Sequence, residues 1–307
     1  MIRTILYLII SALGISISFA QIKSEEIIIN NQAIQLPGTL TYSAENSPLI
    51  IWVHGSGNVD RNGNQKPVVK ANYIKQFRDA VNKQNIAFFS YDKRTANSKN
   101  SAFLKDGVYI NDFIFDVKEV VNHFKNDKRF SEIILAGHSQ GSLIAMMALK
   151  NVNKYISIAG AGNTIDKIIV KQISTKNVEF GKIAEAHFRE LNKTGEIIEI
   201  NPNLISIFAK QNQPFLVSWA ELNPIVEIKK INIPTLLING DKDLQVQTMD
   251  AENLKKAKPD AKLVLIKNMN HVLKHIEKEE ENMKSYMSPD YPISTQLIKT
   301  IVQFVKK

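Results

Sequence analysis

Short runs of consecutive apolar residues alternate along the chain with longer segments in which apolar residues recur every three or four positions. Each short run has the length and composition of a buried strand. These runs occupy residues 48–53, 86–90, 132–136, 154–159, 233–239 and 262–266. The segments 72–83 and 110–126 place their apolar side chains on one helical face. This alternation predicts an α/β domain with a mostly parallel sheet, right-handed crossovers and helices on both faces.

Two strand-like segments precede the first buried run, at residues 25–30 and 35–42. Pro37 interrupts the second segment. Proline is tolerated in a sheet where its missing N–H removes no internal ladder bond. We therefore expect these segments to form an antiparallel hairpin at an edge of the sheet.

Residues 163–227 break the alternation with helical patterns that are punctuated by Pro202, Pro214 and Pro224. This segment falls between the sixth and seventh strands of the predicted main sheet. An insertion at that point lies over the ends of the strands, where it shapes a pocket and excludes water. We therefore predict a helical lid at 163–227 over a core formed by residues 21–162 and 228–307.

The N-terminal residues 1–20 have the features of a secretory signal peptide. A basic start at Arg3 precedes the apolar run Ile5–Ile17, and the small residues Ser18 and Ala20 offer a cleavage site. The run is short for spanning a bilayer, so an uncleaved anchor is the weaker alternative. We predict cleavage after Ala20, a periplasmic or secreted mature protein, and no stable membrane anchor after cleavage.

The composition is ordinary for a globular enzyme, with 44% hydrophobic and 22% charged residues, and the chain contains no cysteine. The net charge of +9 falls to +8 when Arg3 is removed with the signal peptide. Such a charge suits attraction to an anionic lipid or polymer. However, the lysines occur singly along amphipathic helices, which favours the interpretation of an ordinary basic surface.

Several classes of binding motif are absent from the sequence. It contains no nucleic-acid-binding motif, no Cys/His cluster, no P-loop and no dinucleotide fingerprint. We therefore expect neither a nucleic-acid partner nor a metal or other cofactor, and the sequence leaves the oligomeric state open. Residues 276–290 are charged and rich in methionine, and we expect them to form an exposed excursion.

A candidate nucleophile lies in the stretch Gly137-His138-Ser139-Gln140-Gly141. An apolar strand precedes the stretch, and residues 142–149, which are rich in helix formers, follow it. A sharp turn from strand to helix lifts the central serine above the edge of the sheet, and the glycines leave room for the turn. Ser139 is therefore a candidate nucleophile; the alternative is a glycine-rich turn whose serine is merely small.

A nucleophilic serine needs a base and an acid that orients the base. Asp243 follows the predicted strand 233–239, and His271 follows the next one. Because the ends of parallel strands gather at one edge of a sheet, both can meet Ser139. Asp241 and His275 lie nearby in the chain and are the alternatives for the two roles.

Together these motifs resemble the α/β-hydrolase superfamily, in particular its serine esterase, lysophospholipase and aminopeptidase-like branch. The stretch 137–141 resembles the nucleophile elbow, Gly240-x-x-Asp243-x-x-Val246 resembles the acid loop, and Asn270-His271 resembles the histidine loop. The match to these loops favours Asp243 and His271 over their alternatives. The resemblance implies the α/β-hydrolase fold for nearly the whole mature chain.

Two further stretches extend the resemblance. His54-Gly55-Ser56-Gly57 resembles the turn that supplies part of the oxyanion hole. Tyr91-Asp92-Lys93-Arg94 resembles the tyrosine, aspartate and arginine stretch of the family, although Thr95-Ala96-Asn97 replaces the usual glycines. By this resemblance, the backbone N–H groups of Ser56 and Gln140 stabilise the oxyanion.

The resemblance implies a serine hydrolase that cleaves a small-molecule carboxylic ester. In this hypothesis His271 removes the proton of Ser139, Asp243 holds the imidazole, and water releases the acyl-enzyme. The same triad leaves open a peptidase, a thioesterase or an acyl transferase. A protein that kept the fold and lost turnover is a further alternative, of a different class.

Four residues are candidates for binding the substrate. Phe208, Phe215 and Trp219 of the lid offer an apolar pocket, although packing of these residues on the body is an equal alternative. Arg61 is a candidate partner for a substrate carboxylate. The alternative for Arg61 is an ion pair with Asp60 that braces the loop.

Overall fold

The computed structural model describes residues 21–307, so the predicted signal peptide 1–20 and its cleavage site lie outside the described residues. A single eight-stranded sheet organises this part of the chain. Its strands are β1 (Lys23–Asn31), β2 (Ile34–Tyr42), β3 (Ser47–Val53), β4 (Ala87–Tyr91), β5 (Phe130–His138), β6 (Lys154–Ile158), β7 (Thr235–Gly240) and β8 (Lys262–Ile266). They lie in the order β1-β2-β4-β3-β5-β6-β7-β8. β2 runs antiparallel to both of its neighbours, β1 and β4, and every other pair of neighbouring strands is parallel.

Helices cover both faces of this sheet. They are α1 (Tyr73–Asn82), α2 (Ile110–Phe124), α3 (Gln140–Met146), α4 (Ile165–Lys176), α5 (Val178–Thr194), α6 (Ile205–Phe208), α7 (Gln213–Ala220), α8 (Pro224–Ile228), α9 (Thr248–Ala257), α10 (Glu279–Ser285) and α11 (Thr295–Val305). Apolar residues of α2, α3 and α9 pack on one face, and those of α1 and α11 pack on the other. The predicted mostly parallel sheet with helices on both faces is therefore confirmed.

The continuous apolar runs arise because the central strands are buried on both sides. In β3, Leu49, Ile51 and Val53 belong to the core under α2, whereas Ile50 and Trp52 belong to the core under α1. Successive side chains of a strand point to opposite faces. Every residue of such a strand must therefore be apolar, and no polar alternation remains in the sequence.

The N-terminal hairpin forms as predicted, but of its two strands only β1 lies at an edge of the sheet. The strand that contains Pro37, β2, pairs with β1 on one side and with β4 on the other. The carbonyl oxygen of Pro37 accepts a hydrogen bond from the backbone N–H of Asp92, just beyond the end of β4. The missing N–H of Pro37 therefore falls where the ladder between β2 and β4 ends.

Helices α4–α8 fall between β6 and β7. The helical pattern is broken at Asn177, whose side chain caps the start of α5. These helices have an apolar cluster of their own, which includes Phe188, Leu191, Phe208 and Leu216. Over residues 21–307, no helix has both the length and the apolar character that a membrane span requires.

Candidate active site

Ser139 lies at the sharp turn between β5 and α3. Its φ of 54° and ψ of −123° are strained for a residue with a side chain. A Cβ atom on Gly141 would collide with the carbonyl oxygen of Val53, and one on Gly137 would collide with the backbone of Gly141. The backbone N–H of Ser139 donates to the carbonyl oxygen of Ile158, which ties the turn to β6. Only glycines allow β5 and α3 to approach this closely.

Asp243 and His271 form a buried pair. Nδ1 of His271 lies 2.8 Å from Oδ2 of Asp243. The other carboxylate oxygen accepts the backbone N–H groups of Gln245 and Val246 at 2.8 and 2.9 Å. A carboxylate only accepts, so Nδ1 of His271 donates to Asp243 and the other ring nitrogen, Nε2, is the one that can act as a base.

The structure places the two alternative residues elsewhere. Asp241 accepts the backbone N–H of Asn268 at 2.6 Å. The ring of His275 is partly exposed and lies 3.6 Å from Glu277. Neither residue contacts His271 or Ser139 through a hydrogen bond or ion pair of the described residues.

His138, the neighbour of Ser139, connects the turn to the loop of His271. Its Nε2 donates to the backbone carbonyl oxygen of His271 at 2.8 Å, and the two ring centroids are 4.8 Å apart. The His138 ring also stacks on Trp52. Burial, with a smaller contribution from His271, lowers the pKa of His138 to about 3, so the ring stays neutral.

The predicted oxyanion residues lie beside the turn. A Cβ atom on Gly55 would lie 3.2 Å from Cβ of Ser139, so the segment before Ser56 packs against the nucleophile. The backbone N–H groups of Ser56 and Gln140 have no acceptor among residues 21–307. Ser56, Ser139 and Gln140 line one cavity of about 290 Å³. The three predicted residues therefore lie around one space.

Helix α10 braces the loops of the acid and the base. The side-chain amide of Asn270 donates to Oδ1 of Asn282 at 3.1 Å and to Oγ of Ser285 at 2.7 Å. Asn282 in turn donates to the backbone carbonyl oxygen of Lys242 at 2.9 Å. Most of residues 276–290 are exposed, as expected, but Ile276, Asn282 and Ser285 are buried, the last two against the active-site loops.

The candidate pocket residues of the lid have different positions. Trp219 lines the cavity of Ser139. Phe208 is fully buried in the lid's own apolar cluster, and Phe215 packs between Phe113 and Trp219. The structure therefore places Phe208 and Phe215 outside the lining of the cavity, because their helical faces turn towards the lid and the body.

Arg61 is held in ion pairs. It pairs with Asp92 at 3.0 Å and also with Glu26, whereas Asp60 accepts the backbone N–H groups of Asn62 and Asn64. Arg61 lines a separate polar cavity that does not include Ser139. Arg61 therefore forms the alternative, an ion pair that braces its loop, but its partners are Asp92 and Glu26 instead of Asp60.

A second cavity, of about 430 Å³, adjoins the first. The two cavities share Ile168, Gln172 and Gln245 as lining residues. Lys171 and Lys176 of α4 also line the second cavity. The candidate active site therefore has two adjoining compartments that are both mostly apolar, and the second also has the charged side chains of Lys171, Lys176 and Asp250 in its lining.

The sequence analysis assigned no role to Lys93, which lies directly beneath the site. Its Nζ donates to the carbonyl oxygen of Gly55 at 2.8 Å and to Oε1 of Gln140 at 3.2 Å. Burial lowers the pKa of Lys93 to about 7. The only signal in the sequence was a lysine directly after a buried strand.

The described residues hold no group of three His, Asp or Glu side chains that could bind a metal ion.

Two comparisons with known sequences find relatives of this chain. A family model described as BD-FAE matches residues 34–257. Esterase EstD of Thermotoga maritima is 23% identical over 259 residues, which cover 82% of this chain and 60% of EstD. This chain therefore spans less than two thirds of the length of that relative.

Solved structures show the same fold. Est1E from Butyrivibrio proteoclasticus has a TM-score of 0.60 and 18% identity, with 92% of this chain and 99% of that chain covered. A second Est1E structure, with ferulic acid bound, also has a TM-score of 0.60. The Pyrococcus furiosus esterase Pf2001 has a TM-score of 0.59 and 14% identity, with 94% of this chain and 91% of that chain covered. At these identities the likeness establishes the fold alone.

Proposed function

Since the chain belongs to the BD-FAE family and has the α/β-hydrolase fold, we propose that it is a serine hydrolase that cleaves carboxylic esters. One observation carries the proposal. The strained Ser139 shares a single cavity with the two residues, Ser56 and Gln140, whose backbone N–H groups have no acceptor in the described chain. A buried Asp243–His271 pair, tied to the same turn through His138, supports it.

The proposed reaction begins when Oγ of Ser139 attacks the acyl carbonyl carbon and Nε2 of His271 takes the hydroxyl proton. Asp243 stabilises the resulting imidazolium through Nδ1. The negative charge that develops on the carbonyl oxygen is met by the N–H groups of Ser56 and Gln140. His271 then gives the proton to the leaving alcohol, and a water molecule releases the acyl group by the same steps.

We assign the acyl group of the substrate to the cavity of about 290 Å³. Its lining includes Leu143, Ile165, Ile173 and Trp219, which suit an alkyl or aromatic group. The ferulic acid found in Est1E is an aromatic acid, and a ferulate ester is therefore one useful probe.

We assign the alcohol to the adjoining cavity of about 430 Å³. Leu244, which lines this cavity but not the first one, follows Asp243 directly in the chain, so this compartment lies on the side of the acid. The leaving oxygen must receive its proton from His271, which also requires the alcohol on that side. Gln172 and Lys171 offer donors to a polar alcohol.

The test is turnover of p-nitrophenyl esters of graded acyl length and of methyl ferulate, by the wild type and by Ser139→Ala. We expect turnover by the wild type only, and labelling of Ser139 by a fluorophosphonate. Faster cleavage of amides or thioesters would favour a peptidase or thioesterase. Transfer to an added alcohol in place of hydrolysis would favour an acyl transferase. If the wild type is inert and the fluorophosphonate does not label Ser139, only the binding role remains.

We further propose that residues 1–20 direct export and are removed after Ala20. The basic start and the short apolar run support this proposal. Expression of the full chain in a bacterium, fractionation, and N-terminal sequencing of the product test it. A mature protein that begins at Gln21 or its cyclised form is expected; an intact Met1 in the cytoplasmic fraction would contradict it.

A further inference from the structure

Lys93 is a buried cation that the proposed reaction does not use. Its side chain lies under the two loops that hold Ser56 and Gln140. Its Nζ has two oxygen acceptors, on Gly55 and Gln140, and lies 4.6 Å from the centre of the Phe113 ring. Burial of an ammonium without a directly paired carboxylate is unfavourable and calls for a physical explanation.

The contact with Gly55 acts on the amide of Ser56, because the two belong to one peptide group. The Gly55–Ser56 bond is not among the cis bonds of the described residues, so its C=O and N–H point in opposite directions. The carbonyl oxygen points inward to Lys93, and the N–H of Ser56 therefore points away from Lys93. A cation on the carbonyl oxygen polarises the peptide and makes its N–H a stronger donor.

The contact with Gln140 acts on the other loop. Lys93 holds Oε1 of Gln140 at 3.2 Å, and Gln140 is the first residue of α3, where the backbone N–H has no intrahelical acceptor. One ammonium thus connects the turn after β3 with the start of α3. Lys93 fixes the separation of the two donors as well as polarising one of them.

The carboxylates nearest to Lys93 are paired with other cations, so none of them neutralises its charge by direct contact. Asp116 of α2 pairs with Arg94 through both carboxylate oxygens at 2.7 Å. Asp92, the preceding residue, pairs with Arg61. Among residues 21–307, no carboxylate forms an ion pair with Lys93, so its field acts on the peptide and on the site above it.

We propose that Lys93 is a positioning residue that strengthens and aligns the two oxyanion donors, Ser56 N–H and Gln140 N–H. This inference rests on the proposed serine-hydrolase function. In this arrangement the charge of Lys93 strengthens the oxyanion hole through the peptide group that joins Gly55 and Ser56. Lys93 itself does not touch the substrate or exchange a proton with it.

A pH dependence follows from the position of Lys93. Burial lowers the pKa of Lys93 to about 7, and Asp116 opposes this effect. His54 from the turn after β3 also faces Lys93, and the paired Arg94 lies over the same Phe113 ring. Burial and then the charge of Lys93 lower the pKa of His54, so His54 stays neutral. The ammonium, and with it the stronger donor, is present below about pH 7 and lost above it.

The first test is Lys93→Met, which keeps the length of the side chain and removes the charge. We expect kcat for a p-nitrophenyl ester to fall about ten- to hundredfold with little change in KM, somewhat less than for loss of a whole oxyanion donor. Affinity for a trifluoromethyl ketone, which forms the oxyanion, should fall by the same factor. The fall of wild-type kcat/KM above about pH 7 should be absent from the variant.

The matched control is Lys258→Met. Lys258 is also buried, and its Nζ also donates to a backbone carbonyl oxygen, that of Ile231, at 2.8 Å. It has no hydrogen bond to Ser56, Ser139 or Gln140. We expect this variant to lose stability while it keeps the wild-type pH profile and inhibitor affinity.

A chemical rescue keeps the proposal testable if Lys93→Met folds poorly. The chain has no cysteine, so Lys93→Cys offers a single thiol. Alkylation of the unfolded chain with 2-bromoethylamine restores an ammonium of nearly the same length, and alkylation with 1-bromopropane gives a neutral side chain of the same size. After refolding, we expect kcat to recover only in the aminoethylated protein.

Equal kcat for the two alkylated proteins, or an unchanged kcat, inhibitor affinity and pH profile in Lys93→Met, would overturn the proposal. Both outcomes can be interpreted only if the wild-type protein turns over the ester in the same assay. If the wild type turns over no ester and Ser139 is not labelled, the proposed function itself fails. If the wild type is active and Ser139→Ala is not, a null result at Lys93 rejects the positioning role alone.

Discussion

His138 donates from Nε2 to the backbone carbonyl oxygen of His271 at 2.8 Å. These residues end β5 and follow β8, two strands that are separated in the sheet by β6 and β7. The hydrogen bond therefore connects the turn of Ser139 directly with the loop of the base. It lies in a buried setting, where a hydrogen bond is stronger than in water.

The burial of His138 predicts a loss of stability in mild acid. Burial lowers the pKa of His138 to about 3, whereas the unfolded chain binds the proton near pH 6.5. Between these values the unfolded state takes up a proton that the folded state does not, so stability is full above about pH 6.5 and falls as the pH is lowered towards 3. This residue alone contributes at most about 1.4 kcal/mol per pH unit.

Urea unfolding of the wild type and of His138→Gln between pH 4 and 7.5 measures this effect, in steps of about half a unit. We expect a smaller dependence of the unfolding free energy on pH in the variant. His54 contributes to both proteins in the same direction, so only the difference between the curves is decisive. Parallel curves would contradict the assignment.

Replacement of Asp243 should remove catalysis with little effect on folding. In Asp243→Asn, the side-chain amide can donate to Nδ1 of His271 and so favours the tautomer that leaves Nε2 protonated. A change of this kind lowers kcat about 10⁴-fold in a serine triad. Asp241→Asn is the control, since Asp241 accepts a backbone N–H of the neighbouring loop. Similar kcat values for the two variants would show that Asp243 does not orient the base.

The buried pair of Arg94 and Asp116 should be costly to break on one side. Arg94→Met leaves the buried carboxylate of Asp116 unpaired and should lower the free energy of unfolding by about 3–5 kcal/mol. Addition of Asp116→Leu should recover a large part of this loss. The exposed pair of Lys182 and Glu179 provides the control, and Lys182→Met should change stability by less than about 1 kcal/mol. Chemical denaturation of the four proteins measures these differences.

Trp219 should limit the size of the acyl group. Trp219→Ala enlarges the cavity of Ser139, and we expect the optimum of kcat/KM among p-nitrophenyl esters to move to longer acyl chains. Phe208→Leu is the control within the lid, because Phe208 lies in the lid's own apolar cluster. It should lower stability without moving the optimum. An unchanged optimum in Trp219→Ala would remove Trp219 from the acyl pocket.

Much of the fold could be predicted from local patterns. The apolar runs gave the central strands because a strand covered on both faces has no polar side, and the runs at 48–53 and 262–266 match β3 and β8 closely. The hairpin was harder to place, since nothing near Pro37 reveals that β2 also pairs with β4. Long-range pairing is decided by the whole sheet and not by the segment itself.

The candidate pocket shows the limit of prediction from residue type. Phe208, Phe215 and Trp219 are alike in size and apolar character, yet only Trp219 lines the cavity of Ser139. Which face of a lid helix turns inward depends on how the helices pack on one another. The burial of Asn282 and Ser285 in α10 was missed for the same reason, because charged neighbours surround both residues in the chain.

The sequence by itself determined which residues could meet at the ends of the strands, since chain order and strand pattern place Ser139, Asp243 and His271 in loops at one edge of a parallel sheet. Only the tertiary structure decided what surrounds them. The ammonium of Lys93 reaches Gly55 and Gln140 because β3, β4 and the start of α3 converge below the site. A polar contact of this kind depends on distances of about 3 Å between segments far apart in the chain, and no local pattern encodes such a distance.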